Sequence, residues 1–337
     1  MSSANQTPAP SASTDTSRRW RDAILLGGLL VLVLFGLLGL AAATGWEETI
    51  AQLTKLSWLQ FFGLLSLSLV NYGFRGLRWH IFANRLGLST GLVQNFRHFL
   101  GGFAMSVTPG RIGELVRMRW LRRETGWAFE KTAPLVLVDR ASDLAAMGGI
   151  LGIAIAMSAT GVGGALPVTI LALTTAALVT RPRILSGLAD IGYRVFGRWP
   201  RLFARLRTAS RSLGQFSGSG LMAAALTIGA VGWFAEGYAF HLLLMWMGTD
   251  IGLSKAVAIF LFSTLAGGLT GAPGGIGGAE AAMVALLTME GAPLEVSIPA
   301  TAVIRLTTLW FAIGIGLLVF PVAEKYSLKV RNALEEN

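Results

Sequence analysis

Val107-Thr-Pro-Gly-Arg-Ile-Gly-Glu-Leu-Val-Arg117 follows an apolar segment that is too short to cross a bilayer, and it sets a helix-breaking Pro109-Gly110 beside charged residues. A second stretch, Val138-Asp139-Arg140-Ala-Ser-Asp143, lies inside a long apolar run. Charged side chains are costly in a membrane span, so their presence there indicates a functional site. The sequence therefore predicts that the chain is organised around residues 107–143.

The composition is that of a polytopic, all-α membrane protein. Of the 337 residues, 53% are hydrophobic and only 14% are charged, whereas soluble domains have about 25% charged residues. The net charge of +10 does not indicate nucleic acid, because the basic residues cluster between apolar runs, as on the cytoplasmic side of a membrane. The absence of cysteine excludes disulfides, thiol catalysis and cysteine-ligated metals.

The charge pattern predicts about six transmembrane helices with both termini in the cytoplasm, in a cell inner membrane. We expect a disordered tail over residues 1–17, a membrane domain over 18–325 and a cytoplasmic tail over 326–337. The first span is Ala23–Ala43. An alternative is a cleaved signal, because Ala41-Ala42-Ala43 resembles a cleavage site. The basic stretch 181–218 is either an amphipathic helix on the inner surface or a solvated linker.

Two apolar segments are interrupted and have both ends on one side. His98–Thr108 is flanked by arginines and should enter from and return to the inside. Ala256–Ala279 is broken by glycines and Pro273, and acidic residues place its ends outside. Such broken segments are tolerated only where protein or a water-filled cavity surrounds them. The sequence thus predicts two opposed re-entrant hairpins.

These hairpins belong to an internal repeat, with a first unit at about 56–160 and a second at about 219–322. Both breaks read Pro-Gly-x-Ile-Gly with a glutamate soon after. Arg140 follows Pro109 by 31 residues, and Arg305 follows Pro273 by 32. The opposite predicted topology makes the repeat inverted, which is typical of alternating-access transporters with a site at the repeat interface.

The residue types suit an anion. Half-helices starting after each break would present free N–H groups, and arginine recognises phosphate. A lipid headgroup crossing between leaflets fits such a site, as does a small anion. The acidic residues would neutralise the arginines or transfer protons. The residues that we expect to bind the substrate are Asn71, Arg75, Arg78, Pro109, Gly110, Arg111, Gly113, Glu114, Arg117, Asp139, Arg140, Asp143, Glu236, Pro273, Gly274, Gly275, Gly277, Glu280 and Arg305.

Two parts of this set have a simpler structural interpretation. In the first interpretation, Arg75 and Arg78 end the span Leu56–Phe74 by extending to the headgroups, and Trp79 lies in the aromatic belt. In the second, both arginines line the site with Asn71, because helical spacing places the three residues on one face. The charges of residues 139–143 would merely join helices through ion pairs.

Enzyme motifs are mostly missing. The glycine-rich segment 267–278 lacks the Lys-Ser/Thr of a phosphate-binding loop, and no Gly-x-Ser-x-Gly or zinc spacing is present. We expect no cofactor and no metal. A membrane enzyme acting on lipid headgroups with Arg and Asp remains an alternative.

The motifs around Pro109, Asp139 and Pro273 together resemble the membrane region of lysylphosphatidylglycerol synthases and its stand-alone relatives, the flippase-like integral membrane proteins. The resemblance covers most of residues 20–325. It implies movement of a lipid between leaflets: a phospholipid, a glycolipid or a polyprenyl-phosphate-linked sugar. Because the chain stops at Asn337, we expect no lysyl transfer. Gly275 stands where the first motif has Arg111. A non-transporting scaffold for envelope synthesis is a third possibility, and homo-oligomers or lipid-synthesis enzymes are possible partners.

Overall fold

The computed structural model describes residues 47, 51, 54–106, 112–157, 165–196, 213–216 and 218–335. Every regular element in these ranges is helical. The predicted first span Ala23–Ala43 lies outside the described residues. The α-helices are α1 (Trp58–Arg85), α2 (Leu92–Gly101), α3 (Ile112–Thr125), α4 (Phe129–Met157), α5 (Ala165–Thr180), α6 (Pro182–Phe196), α7 (Ser219–Trp246), α8 (Leu253–Leu269), α9 (Gly278–Met289), α10 (Leu294–Arg305) and α11 (Phe311–Glu335).

Three of the described helical segments are long and apolar enough to cross a membrane: α4, α7 and the stretch Leu294–Arg331 formed by α10 and α11. Shorter apolar helices accompany them, including α8 and α9. The protein is therefore an all-helical membrane protein in the part that the structure describes. In the basic insertion, Pro182–Phe196 is helical, as an amphipathic helix requires, and its contact with lipid stays a prediction.

Helix α1 extends beyond the predicted second span, Leu56–Phe74. It begins at a capping box, in which the Ser57 hydroxyl accepts from the Gln60 amide and the Gln60 side chain accepts from the Ser57 amide. It then continues for 28 residues to Arg85. Trp79 is completely buried within the protein, whereas an aromatic-belt residue would be exposed to the membrane interface.

Each Pro-Gly motif is flanked by a described helical segment on either side. In the first, α2 continues as a 3₁₀ turn over Gly102–Met105 and α3 begins at Ile112; the break residues between them lie outside the described part. In the second, α8 and α9 flank a 3₁₀ turn over Pro273–Gly275.

Glycines close each hairpin in the same way. A Cβ on Gly113 would overlap the carbonyl oxygen of Gly102, and a Cβ on Gly267 would lie 2.7 Å from that of Ala279. The two limbs therefore approach at backbone contact, which only glycine permits. The break itself also depends on glycine, because Gly274 has φ 63° and Gly275 has φ 70°.

The two arginine-bearing segments share a further pattern. Pro134 lies six residues before Arg140, and Pro299 lies six residues before Arg305. They differ after the arginine, because α4 continues as an α-helix whereas α10 passes into a π turn over Leu306–Trp310. Such turns occur often at functional sites.

The two predicted repeat units pack against each other. Helices α1 and α7, the first helices of the described units, pack along each other. The first hairpin packs on α11, and α8 of the second hairpin packs on α4. Each hairpin thus lies against the arginine-bearing segment of the other unit. Residues from both units surround the space between the hairpins.

Candidate functional site

A cavity of about 310 Å³ lies between the two hairpins. Its wall comes from α1, the first hairpin, α4, α7, α8, the second break, Arg305 and the π turn with the start of α11. Ten of the predicted residues line it: Arg75, Gly113, Glu114, Arg117, Arg140, Asp143, Glu236, Gly274, Gly275 and Arg305.

In each repeat unit the arginine pairs with the glutamate of its own hairpin. Arg140 Nε lies 3.0 Å from Glu114 Oε1, and Arg305 Nε lies 2.6 Å from Glu280 Oε1. Both pairs are largely shielded from solvent.

The two pairs correspond in residue type and position but differ in geometry. Arg305 Nε donates a hydrogen bond to Glu280, whereas Arg140 Nε has no hydrogen-bond partner in the described structure. Arg140 also lies 3.4 Å from Asp139 and 3.5 Å from Asp143.

The second pair is also hydrogen-bonded to the backbone at the break. Arg305 Nη2 donates to the Gly274 carbonyl over 2.9 Å. Glu280 Oε2 accepts from the Gly277 amide over 2.7 Å, at the start of α9. Arg305 and Glu280 therefore connect the irregular backbone at the break to α10. They also supply hydrogen-bond partners for the Gly274 carbonyl and the Gly277 amide, which lipid could not supply.

Helix α1 is joined to α4 by a buried ion-pair cluster. Arg78 Nη2 lies 2.7 Å from Asp139 Oδ1 and 2.6 Å from Asp143 Oδ1. Arg75 Nη2 lies 2.9 Å from Asp143 Oδ2. Arg78 and Asp139 are completely buried and do not line the cavity. The prediction that Arg75 and Arg78 extend to the headgroups is therefore wrong. The Arg78–Asp139 pair joins α1 to α4 away from the cavity, whereas Arg75 and Asp143 join the same helices and also line the cavity.

Arg117 is the cavity arginine that, among the described residues, has no carboxylate within ion-pairing distance. Its side chain is buried against the rings of Phe99 and Trp79, 4.5 and 5.4 Å from its guanidinium carbon. Nη2 donates to the Phe99 carbonyl, while Nε and Nη1 have no hydrogen-bond partner within the described structure. A positive charge with unused donors thus lies in the wall of the cavity.

The remaining predicted residues do not line the cavity. Asn71 is buried and accepts a hydrogen bond from Arg75 over 3.3 Å. Pro273 lies in the second break and Gly277 at the start of α9. Glu280 acts through Arg305. Pro109, Gly110 and Arg111 lie outside the described residues.

Sequence reasoning missed the aromatic part of the wall, which includes Tyr72, Phe103, Trp233 and Phe260. Trp233 donates to Asp143 over 3.0 Å, and its ring lies under the Arg75 guanidinium. The sequence did contain one signal for Trp233: it lies three residues before Glu236 in an apolar helix, and residues three apart share a helical face. Tyr72 donates to the Thr308 carbonyl in the π turn, and no local pattern predicts that contact.

Comparison with known proteins places this arrangement in a family. Residues 24–316, well over half of the chain, match the model of the lysylphosphatidylglycerol synthase TM region. The chain belongs to this family. Two relatives from Methanothermobacter thermautotrophicus (strain Delta H), each described as a UPF0104 membrane protein, are similar to it. One is 25% identical over 325 residues, covering 86% of this chain and 94% of the relative. The other is 24% identical over 292 residues, covering 76% and 84%.

Proposed function

We propose that this protein moves a lipid with an anionic or phosphate-linked headgroup between the leaflets of the cell inner membrane. The observation that supports this most is the presence of both matched Arg–Glu pairs, Arg140–Glu114 and Arg305–Glu280, at one cavity between two broken hairpins. Membership of a family named for the membrane region of a lipid synthase fits a role with lipids.

The cavity chemistry suits a phosphate. Four arginines line it, Arg75, Arg117, Arg140 and Arg305, and arginine binds phosphate oxygens with two parallel hydrogen bonds. Arg117 has unused donors, so a phosphate can bind there without first breaking an ion pair. A cavity of about 310 Å³ holds a headgroup rather than a whole lipid. The acyl chains would remain in the bilayer.

The packing of the two predicted repeat units suits alternating access. We propose six spans, with the hairpins re-entrant from opposite sides and both termini cytoplasmic. Rocking one unit against the other would open the cavity to each leaflet in turn around a fixed set of arginines. The Arg–Glu pairs would hold the arginines when no headgroup is bound and exchange the carboxylate for phosphate when one is. The chemistry does not select between phospholipid, glycolipid and polyprenyl-linked sugar.

The experiment is reconstitution of the purified protein into liposomes that contain fluorescent phosphatidylglycerol. A membrane-impermeant quencher reports the fraction of label in the outer leaflet with time. We expect the protein to speed exchange between leaflets over protein-free liposomes, with the lipid recovered chemically unchanged. Exchange no faster than in protein-free liposomes, for this lipid and for glycolipid and polyprenyl-phosphate probes, would overturn the proposal. A modified headgroup would favour the enzyme alternative.

A further inference from the structure

Glu236 differs from the other acids of the cavity. Asp143 is held by Arg75 and Arg78, and Glu114 is held by Arg140. Glu236 is 4% exposed in the middle of α7 and lines the cavity. Within the part of the chain that the structure describes, no hydrogen bond or ion pair reaches its carboxylate.

The ionisable groups that face Glu236 come from three neighbouring helices. Tyr72 and Arg75 lie on α1, Asp143 lies on α4 and Arg305 ends α10. Both arginines are already paired, Arg75 with Asp143 and Arg305 with the glutamate of the second hairpin. Glu236 is thus a carboxylate near positive charge that has no cation of its own.

Of the other elements that line the cavity, α3 contributes Glu114 and Arg117, and α4 also contributes Arg140. Helix α8 and the rest of α7 add no further charge to the cavity wall. Residues 260–268 of α8, which contribute to the cavity wall, include no ionisable side chain. On α7 itself, Tyr238 and His241 lie beside each other, with ring centroids 6.2 Å apart, and neither lines the cavity. A ligand of Glu236 must therefore come from the cavity.

A proton suits Glu236 better than a metal ion. Hard cations need several oxygen ligands at once. Among the described residues, no group of three acidic or histidine side chains has an arrangement that could hold a metal. A proton needs a single carboxylate oxygen, and a carboxyl group inside a membrane is most stable when it is neutral or paired.

We infer that Glu236 is a proton-binding site that couples proton movement to movement of the lipid headgroup. This inference rests on the proposed function. An anionic headgroup on Arg75, Arg117 and Arg305 brings negative charge beside Glu236, and negative charge favours the protonated carboxyl. Headgroup and proton then bind together, each strengthening the other, as linkage requires. The proton taken from water on the loading side binds Glu236 and is released on the other side with the lipid.

Proton uptake can be measured without transport. Purified protein in weakly buffered detergent with a pH-indicator dye is titrated with short-chain phosphatidylglycerol, and binding is followed separately by tryptophan fluorescence. The titration is repeated from neutral to mildly alkaline pH, so that it includes conditions in which Glu236 is ionised in the lipid-free protein. Under those conditions we expect the wild type to take up protons as it binds lipid, and Glu236→Gln to lose the uptake to the background. Glu295→Gln, which removes an exposed carboxylate at the start of α10, should keep wild-type uptake. Glu236→Asp retains a carboxyl group and should also take up protons.

The outcomes separate the two proposals. Lipid binding by the wild type with no proton uptake, or uptake that persists in Glu236→Gln, overturns the proton site and leaves lipid movement standing. If Glu236→Gln fails to fold, the pH dependence of uptake in Glu236→Asp still decides. A pH dependence that changes in Glu236→Asp but not in Glu295→Gln supports the site, and the same pH dependence in all three proteins, or no uptake in the wild type, overturns it. If no lipid binds, the proposed function fails and the coupling fails with it.

Discussion

Arg305 and Glu280 form an ion pair, with Nε and Oε1 2.6 Å apart, that corresponds to the 3.0 Å pair of Arg140 and Glu114 in the other predicted repeat unit. In sequence the two glutamates precede their arginines by 25 and 26 residues. The arginines of both pairs line one cavity, which supports the proposal that the two units serve a single site. The predictions below test the contacts that build it.

The second pair should stabilise the break in the second hairpin. Glu280→Gln removes the charge that binds Arg305 Nε and weakens the acceptor of the Gly277 amide. Loss of one charge-assisted hydrogen bond costs about 1.5–3 kcal/mol, so the Tm of the detergent-purified protein should fall. Glu295→Gln, on an exposed residue, is the control. A Tm equal to that of the control would show that the pair does not stabilise the break.

Arg78 should act in folding rather than in binding. Arg78→Ala leaves Asp139 buried with a weaker partner, and removing one member of a buried pair costs about 3–5 kcal/mol. The double variant Arg78→Met with Asp139→Leu should recover much of that stability, because apolar residues can replace a buried pair. Thermal unfolding monitored by tryptophan fluorescence measures both. A stable Arg78→Ala protein that no longer binds lipid would contradict this assignment.

Close contact between the limbs of the hairpins should require glycine. Gly113→Ala places a methyl group onto the Gly102 carbonyl, and Gly267→Ala places one against Ala279. Both should lower the Tm. Gly149→Ala has open space around its new Cβ and should raise stability by about 0.5–1 kcal/mol, since alanine is favoured over glycine within a helix. Equal Tm values for all three variants would mean that the limbs are not packed as described.

The inverted topology can be mapped on this cysteine-free chain. Ala128→Cys lies in the exposed connection after the first hairpin, and Glu295→Cys lies after the second. With oriented vesicles and an impermeant thiol reagent, we expect Ala128→Cys to react only from the cytoplasmic side and Glu295→Cys only from the outside. Reaction of both from the same side would exclude an inverted repeat.

The helical class, the break at Pro273–Gly275 and the matching positions of Arg140 and Arg305 could be predicted, because helix breakers and intramembrane charges are local signals. The first predicted break lies outside the described residues. The continuation of α1 past Phe74 could not be predicted. Its arginines look like the end of a span until Asp139 and Asp143, more than 60 residues away, are placed beside them. The aromatic wall of the cavity was missed for the same reason, since an apolar ring in an apolar helix gives no sign of which side it faces.

The central claim is that arginines from both repeat units bind one moving headgroup. Its most direct test is the leaflet-exchange assay on Arg140→Ala and Arg305→Ala, with Arg122→Ala as an exposed arginine control on α3. Loss of a charge-assisted contact of about 1.5–3 kcal/mol corresponds to roughly a ten- to hundredfold slower exchange. We predict that slowing in both cavity variants and a wild-type rate in the control. Exchange by either cavity variant at the wild-type rate would contradict the account.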